Sequence, residues 1–221
     1  MKRPLAFISV VLIAVSLLLI CCFSSFAQIA VYTSSDGLWR YSLINGDEVF
    51  ICSGDNENSA YLGDEKDIII PAYIDGHKVF GISKYAFAGV DGISSVSVPQ
   101  GIVHNGIDYA QSTPEMSGYF CYKGTSADTA AKKDAFLSTK IRYFGDVNSD
   151  EIIDLSDYAL IKSYLDATAT DLSADQLRAA DYDADTSVDA FDLFYINRIA
   201  NSGMHIGNDD DDSHYAIIDW G

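Results

Sequence analysis

Two short acidic segments carry side chains whose spacing suits the binding of a metal ion. The first runs from Asp146 to Asp157, and the second repeats its pattern from Asp181 to Asp192. In both, oxygen-bearing side chains stand at positions 1, 3, 5, 9 and 12. A hard divalent cation such as calcium takes oxygen ligands at roughly 2.3–2.6 Å, and alternate residues of a curled loop can supply them. The sequence therefore predicts two cation-binding loops.

The spacing is that of an EF-hand-type calcium loop, in which position 7 contributes only its backbone carbonyl. The predicted ligands of the first loop are Asp146, Asn148, Asp150, Ile152, Asp154 and Asp157. The predicted ligands of the second loop are Asp181, Asp183, Asp185, Ser187, Asp189 and Asp192. We therefore expect two calcium ions, although acidic segments can also be no more than solvated loops.

Both loops depart from the usual pattern at two positions. Position 6, normally Gly because the backbone turns sharply, is Glu151 in one loop and Thr186 in the other. A left-handed backbone at a non-Gly residue costs about 1–2 kcal/mol. Position 12 is Asp rather than the longer Glu. The pattern predicts binding but leaves the calcium affinity open.

The N-terminus has the features of a secretory signal peptide. Lys2 and Arg3 precede an uncharged apolar run from Leu5 to Phe23, and residues 25–27 form a small-x-small cleavage site. We predict that residues 1–27 are removed before Gln28, which gives a secreted chain at the cell surface or in an extracellular complex, without stable membrane insertion. An uncleaved membrane anchor is the alternative, since the apolar run could just span a bilayer.

The charge of the chain excludes some partners. The formal net charge is −18 over 221 residues, so we expect no binding to nucleic acid or to anionic membranes. Much of this charge is local, because 13 acids and two bases lie between Asp146 and Asp192. Such crowding repels itself unless cations offset it.

Residues 28–140 have the pattern of a β-rich module. An alternating run at residues 38–43, the turn pair Asn45-Gly46 and the apolar residues 49–52 predict a hairpin. A short strand at residues 67–71 and a turn at residues 75–76 follow. The module also holds Cys52 and Cys121, which could form a disulfide or remain separate buried thiols.

Part of this module repeats. Ile70-Pro71 recurs as Val98-Pro99, and Tyr85-Ala86 recurs as Tyr109-Ala110. The stretches 75–89 and 93–99 resemble the BspA-like leucine-rich repeats of bacterial surface proteins, over roughly residues 61–136. Gln111 departs from the family pattern, and a small independent β-rich domain is the alternative. The resemblance implies a surface for binding a protein or a glycan, at positions without a catalytic role.

Apolar residues recur at helical spacing after each acidic loop. Helices are predicted at residues 155–165 and 191–199, and the capping-box sequence Ser173-Ala-Asp-Gln176 predicts a short helix between them. Three sets of side chains share helix faces and are expected to pack in a core: Leu155, Tyr158, Ile161 and Leu165; Leu193, Ile196 and Ala200; Phe191, Phe194, Tyr195 and Arg198.

Two loop-helix units with an intervening helix resemble a dockerin domain, over roughly residues 142–202. The matching residues are 145–150, Asp154, Asp157, Leu160 and Tyr164, then 179–185, Asp189 and Asp192. The resemblance implies calcium-dependent folding and binding to a cohesin module on a scaffold or cell-surface protein of anaerobic, plant-degrading bacteria.

The resemblance also implies partner-binding positions. They are Leu155, Ser156, Lys162 and Ser163 in the first unit, and Ala190, Phe191, Asn197 and Arg198 in the second. Because the two sets differ, we hypothesise that the domain binds in a single orientation. Packing in the domain core is the alternative role for Leu155 and Phe191.

We therefore predict an α+β chain with four parts. They are a signal peptide at 1–27, a β-rich leucine-rich-repeat-like module at 28–140, an all-α dockerin at 141–203 and an acidic tail at 204–221. The sequence contains no zinc H-E-x-x-H pair, nucleophile elbow or Walker loop. We predict a non-catalytic cellulosome-type component. The alternatives are a small enzyme for polysaccharide catabolism carried by the dockerin, or a calcium-binding surface protein without a cohesin partner.

Overall fold

The computed structural model of the protein describes residues 30–55, 57–105, 113–168 and 171–202. The predicted signal peptide and acidic tail, and the repeat residues 109–111, lie outside these ranges. The described part contains two sheets and four α-helices, so the fold is α+β. No helix within it is both long and apolar enough to cross a membrane.

The strands and helices alternate little, since most strands precede the helices. The strands are β1 (Tyr32–Thr33), β2 (Arg40–Ile44), β3 (Glu48–Ile51), β4 (Asp67–Ile69), β5 (Tyr73–Ile74), β6 (His77–Ile82), β7 (Ser95–Ser97), β8 (His104–Asn105), β9 (Gly118–Cys121) and β10 (Ile141–Tyr143). The α-helices are α1 (Ser126–Lys133), α2 (Leu155–Leu165), α3 (Ala174–Ala180) and α4 (Ala190–Ser202), and a 3-10 helix covers Leu137–Thr139.

The predicted hairpin is confirmed. Strands β2 and β3 pair antiparallel, with Leu43 opposite Val49. Asn45 and Gly46 between them have φ of 54° and 86°, which suits the right-handed twist of the flanking strands. The predicted turn at residues 75–76 joins β5 to β6 in the same way.

Two parallel ladders run through the β-rich module. One is β3–β6–β8, which continues a sheet of order β1-β2-β3-β6-β5, and the other is β4–β7–β9–β10. The chain passes from one ladder to the other, as in a solenoid of short stacked turns. Leucine-rich-repeat identity itself stays a prediction. Strand β10 closes the second ladder, although the sequence division at residue 140 places it in the dockerin.

The two ladders enclose one hydrophobic core. Val49 and Ile82 contribute from one ladder, and Ile68, Val96 and Tyr119 from the other. Cys121 is buried and Cys52 is half-buried, and both are free thiols. Of the two alternatives for these cysteines, separate thiols are therefore the one that the structure shows.

A second core lies among the helices of residues 144–202. Helices α2 and α4 pack together, and Ile161 and Ile196 are fully buried between them. The expectation that whole helix stripes pack in this core is wrong for six residues. Five apolar or aromatic ones are 37–60% exposed, namely Leu155, Leu165, Phe191, Phe194 and Tyr195, and Arg198 is exposed as well. In a domain this small, each helix buries only a narrow seam.

Candidate calcium-binding site

The carboxylate at position 1 of each loop accepts N–H bonds from residues later in the loop, so the loop curls around this carboxylate. Asp146 accepts the backbone N–H of Asp150 on Oδ1 at 3.0 Å and that of Glu151 on Oδ2 at 2.9 Å. Asp181 accepts the N–H of Asp185 at 3.0 Å and that of Thr186 at 2.9 Å in the same way. The two loops therefore share one backbone geometry.

The carboxylate at position 12 closes each loop. Asp157 is fully buried and accepts the N–H of Val147 at 2.7 Å and that of Asp154 at 2.9 Å. Asp192 accepts the corresponding N–H groups of Tyr182 and Asp189 at 2.7 and 2.8 Å. An Asp at this position thus ties the start of the loop to the helix that follows it.

Positions 3, 5 and 9 also repeat between the loops. Asn148 and Asp183 each accept the N–H of the residue two further on, at 2.9 and 3.3 Å. Asp154 accepts the N–H of Ser156 at 2.7 Å and caps helix α2. Asp189 accepts the N–H of Phe191 at 2.7 Å at the start of α4. Each loop therefore leads directly into a helix whose N-terminus it stabilises.

Position 6 has the left-handed backbone that its place in the loop predicts. Glu151 has φ of 68° and Thr186 has φ of 79°. Position 4 is also left-handed, at Ser149 and Ala184 with φ of 61° and 59°. Both loops adopt the tight turn without glycine at either position.

The donor set fits calcium. Asp181, Asp183 and Asp185 can each place a carboxylate oxygen within 4.8 Å of the others, and oxygens bound to one calcium ion lie at most about 5 Å apart. An ionised carboxylate offers about four lone-pair sites. The three N–H bonds to Asp157, two on Oδ1 and one on Oδ2, therefore leave a site on Oδ2 for a cation, and the same holds for Asp192. The side chain of Ile152 at position 7 is 58% exposed, as expected where only the carbonyl binds.

Several loop carboxylates have raised pKa values, an effect that a bound cation would counteract. Burial, together with the nearby carboxylate of Asp192, raises the pKa of Asp181 to about 6, although the N–H groups of Thr186 and Asp185 act in the opposite direction. Burial also raises the pKa of Asp146 and of Asp157 above the usual range. A bound divalent cation would offset this cost of gathering buried carboxylates.

The eight predicted partner-binding residues lie on α2, on α4 and at their N-termini. Leu155 and Phe191 are 54% and 60% exposed, so neither has the core-packing role that was the alternative. The exposed polar residues and alanine of the set are Ser156, Lys162, Ala190 and Arg198. Ser163 and Asn197 are half-buried, and their oxygens take part in hydrogen bonds within their own helices.

Two residues of the β-rich module contact the acidic loops, and neither is among the predicted site residues. The hydroxyl of Tyr122 donates to the carbonyl of Tyr182 in the second loop at 2.6 Å. The Nζ of Lys123 donates to the carbonyl of Glu151 in the first. The signal was the unbroken apolar run 119–122, because a strand that is apolar on both sides has both faces covered.

The comparisons with known proteins agree with this geometry. Residues 144–200 match the family model of the dockerin type I domain. No curated protein and no solved structure matches the chain.

Proposed function

We propose that this chain, whose residues 144–200 form a dockerin domain, is a secreted, non-catalytic component of a cellulosome-type complex. In this proposal each loop binds one calcium ion, and the domain then binds a cohesin module. The β-rich module would bind a second protein or a glycan. The observation that carries the proposal is the duplicated loop, in which the carboxylates at positions 1 and 12 accept the corresponding backbone N–H bonds in both copies.

The exposure of the contact residues supports a protein partner. Leu155 and Phe191 stay more than half exposed while the domain packs on the β-rich module. Large apolar side chains exposed at the start of both loop-bearing helices are what a docking surface requires.

A cohesin-binding experiment tests this proposal. We expect the chain to bind at least one member of a cohesin panel in calcium and to release it in chelator. Phe191→Ala should weaken binding by about 30-fold, as for a central interface aromatic. Tyr73→Ala is the matched control, because Tyr73 is a comparably exposed aromatic, at 56%, on strand β5 of the β-rich module and is not in the predicted set. No binding across a broad panel would contradict the proposal.

The two contact sets differ in the sizes of their side chains and in the position of their single cation, Lys162 or Arg198, so we propose a single binding orientation. Replacing the contact residues of one helix at a time with alanine, Ala190 excepted, tests it. A dockerin that binds in one orientation should lose affinity to clearly different extents in the two variants, since each set faces a different part of the cohesin. Equal affinity of the two variants would contradict the single orientation and leave cohesin binding intact.

The non-catalytic role has its own test. The full chain should release no reducing sugar from plant polysaccharides, because the proposed role of the β-rich module is binding. Hydrolysis that copurifies with the chain and is lost on substitution of one of its own carboxylates would favour the enzyme alternative. Cohesin binding would be expected in either case.

A further inference from the structure

Strand β9 of the β-rich module belongs to both hydrophobic cores. Tyr119 and Cys121 point into the core between the ladders. Phe120 and Tyr122, the alternate residues, pack in the core of the dockerin with Phe144 and other apolar residues. All four residues of β9 are buried. The dockerin therefore uses the outer face of this strand as part of its own interior.

Tyr122 places a polar group at a calcium loop from within that shared core. Its hydroxyl donates to the carbonyl of Tyr182 at 2.6 Å, and its ring lies 4.7 Å from the Phe144 ring and 5.3 Å from the Tyr182 ring. The N–H of the same Tyr182 donates to Asp192 at position 12. Position 2 of the second loop is thus held by the β-rich module on one side and by a predicted ligand on the other.

The first loop has a comparable contact. Lys123 donates from Nζ to the carbonyl of Glu151, the left-handed residue at position 6. Lys123 is half-buried, and its Nζ also lies 5.5 Å from the centre of the Tyr143 ring. The two residues that directly follow β9, Tyr122 and Lys123, therefore contact one loop each.

We infer that the β-rich module is a structural part of the calcium site, with Tyr122 as a positioning residue for the second loop. Calcium binding should then stabilise β9, and an intact β9 should in turn strengthen calcium binding. By thermodynamic reciprocity, a hydroxyl that favours the calcium-bound loop is itself fixed more firmly when calcium binds. The inference rests on the proposed calcium binding by these loops.

Calorimetric calcium titration of the full chain tests the coupling. An Asp150→Ala background removes an exposed ligand of the first loop, so that only the second site is measured. In that background, Tyr122→Phe keeps the buried ring and removes the hydroxyl. We expect calcium affinity to fall by about three- to tenfold, the loss of one buried hydrogen bond. Tyr73→Phe, the same change at an exposed tyrosine of β5, should leave the affinity unchanged.

Amide hydrogen exchange supplies a second readout in the unaltered chain. Calcium should raise the protection of the N–H groups of Val98 and Tyr119, which donate to Phe120 and Lys140 within the β9 ladder. Tyr122→Phe should reduce that gain.

Two outcomes would overturn the inference. If Tyr122→Phe binds calcium as tightly as Tyr73→Phe and protection of β9 ignores calcium, the modules are uncoupled while the proposed function stands. If the Asp150→Ala chain and the unaltered chain both bind no calcium, the proposed function fails together with the coupling.

Discussion

At the scale of single residues, the strained position 6 decides how well each loop can close. Thr186 has φ of 79° and a branched Cβ, a combination that costs about 1–2 kcal/mol. Gly at this position removes the strain but loses more chain entropy on folding, about 0.5–1 kcal/mol. We expect Thr186→Gly to stabilise the calcium-bound domain by up to about 1 kcal/mol, measured by denaturant unfolding in saturating calcium.

Ser187 gives the matched control for that change. It is the next residue in the loop and is absent from the residues with positive φ. Ser187→Gly therefore raises the conformational entropy of the unfolded chain without relieving any strain in the folded chain, and it should destabilise the domain. If Thr186→Gly and Ser187→Gly destabilise the domain equally, backbone strain at position 6 does not contribute measurably to its stability.

Gly145, directly before the first loop, combines a backbone requirement with a packing requirement. Its φ is 93°, and a Cβ there would lie 3.1 Å from Cδ1 of Ile153 and 3.4 Å from Cδ2 of Tyr182. Gly46 has φ of 86° with no atom within 4 Å of such a Cβ. We expect Gly46→Ala to cost about 1 kcal/mol from strain alone, and Gly145→Ala to cost more because packing is disturbed as well. Thermal unfolding of both variants measures the difference, and equal shifts would contradict the packing contribution.

At the scale of elements, features set by residues close in sequence could be predicted, whereas pairings between distant segments could not. The hairpin turn at Asn45-Gly46, helix α2 and the capping box of α3 follow from residues close in sequence, and all three are present. The pairing of β10 with β9 and the burial of Phe120 under the dockerin depend on segments far apart in the chain. Period and propensity do not encode such pairings. The boundary at residue 140 stays a prediction, and strand β10 pairs with β9 across it.

Helix α3 carries an arginine that connects the helical region of residues 144–202 to the parallel ladder of strands β4, β7 and β9. The guanidinium of Arg178 donates to Ser97 Oγ at 3.3 Å, lies 3.7 Å from a carboxylate oxygen of Asp67, and stands 5.6 Å from the centre of the Phe120 ring. One side chain thus spans β4, β7 and β9. We expect Arg178→Met to destabilise the chain by about 1–2 kcal/mol through the lost charged hydrogen bond and cation–π contact.

Denaturant unfolding in calcium checks the role of Arg178. Arg198→Met is the control, because Arg198 is an exposed arginine on α4 and should change stability by less than about 0.5 kcal/mol. Arg178→Lys should recover little of the loss, since an ammonium cannot reproduce the planar stacking. An Arg178→Met chain as stable as the Arg198→Met chain would show that other contacts hold the two modules together.

At the scale of the whole molecule, the acidic loops make stability depend on both pH and calcium. Burial raises the pKa of Asp181 to about 6 in the folded chain, above the unfolded value of about 3.9. The folded, calcium-free chain therefore binds more protons than the unfolded chain between these values. Its stability should rise as pH falls through about 6. The raised pKa values of Asp146, Asp157, Asp183 and Asp192 act with the same sign.

Saturating calcium should reverse that dependence. Calcium binds the deprotonated carboxylates, so protons compete with it and the bound state loses stability as pH falls. We expect the melting temperature in chelator to rise by several degrees from pH 7 to pH 5, and the melting temperature in calcium to fall over the same range. The carboxyls of Asp55 and Asp75, whose pKa values lie below the usual range, lose their contribution only at lower pH. Parallel pH profiles in chelator and in calcium would mean that the loop carboxylates do not bind the ion.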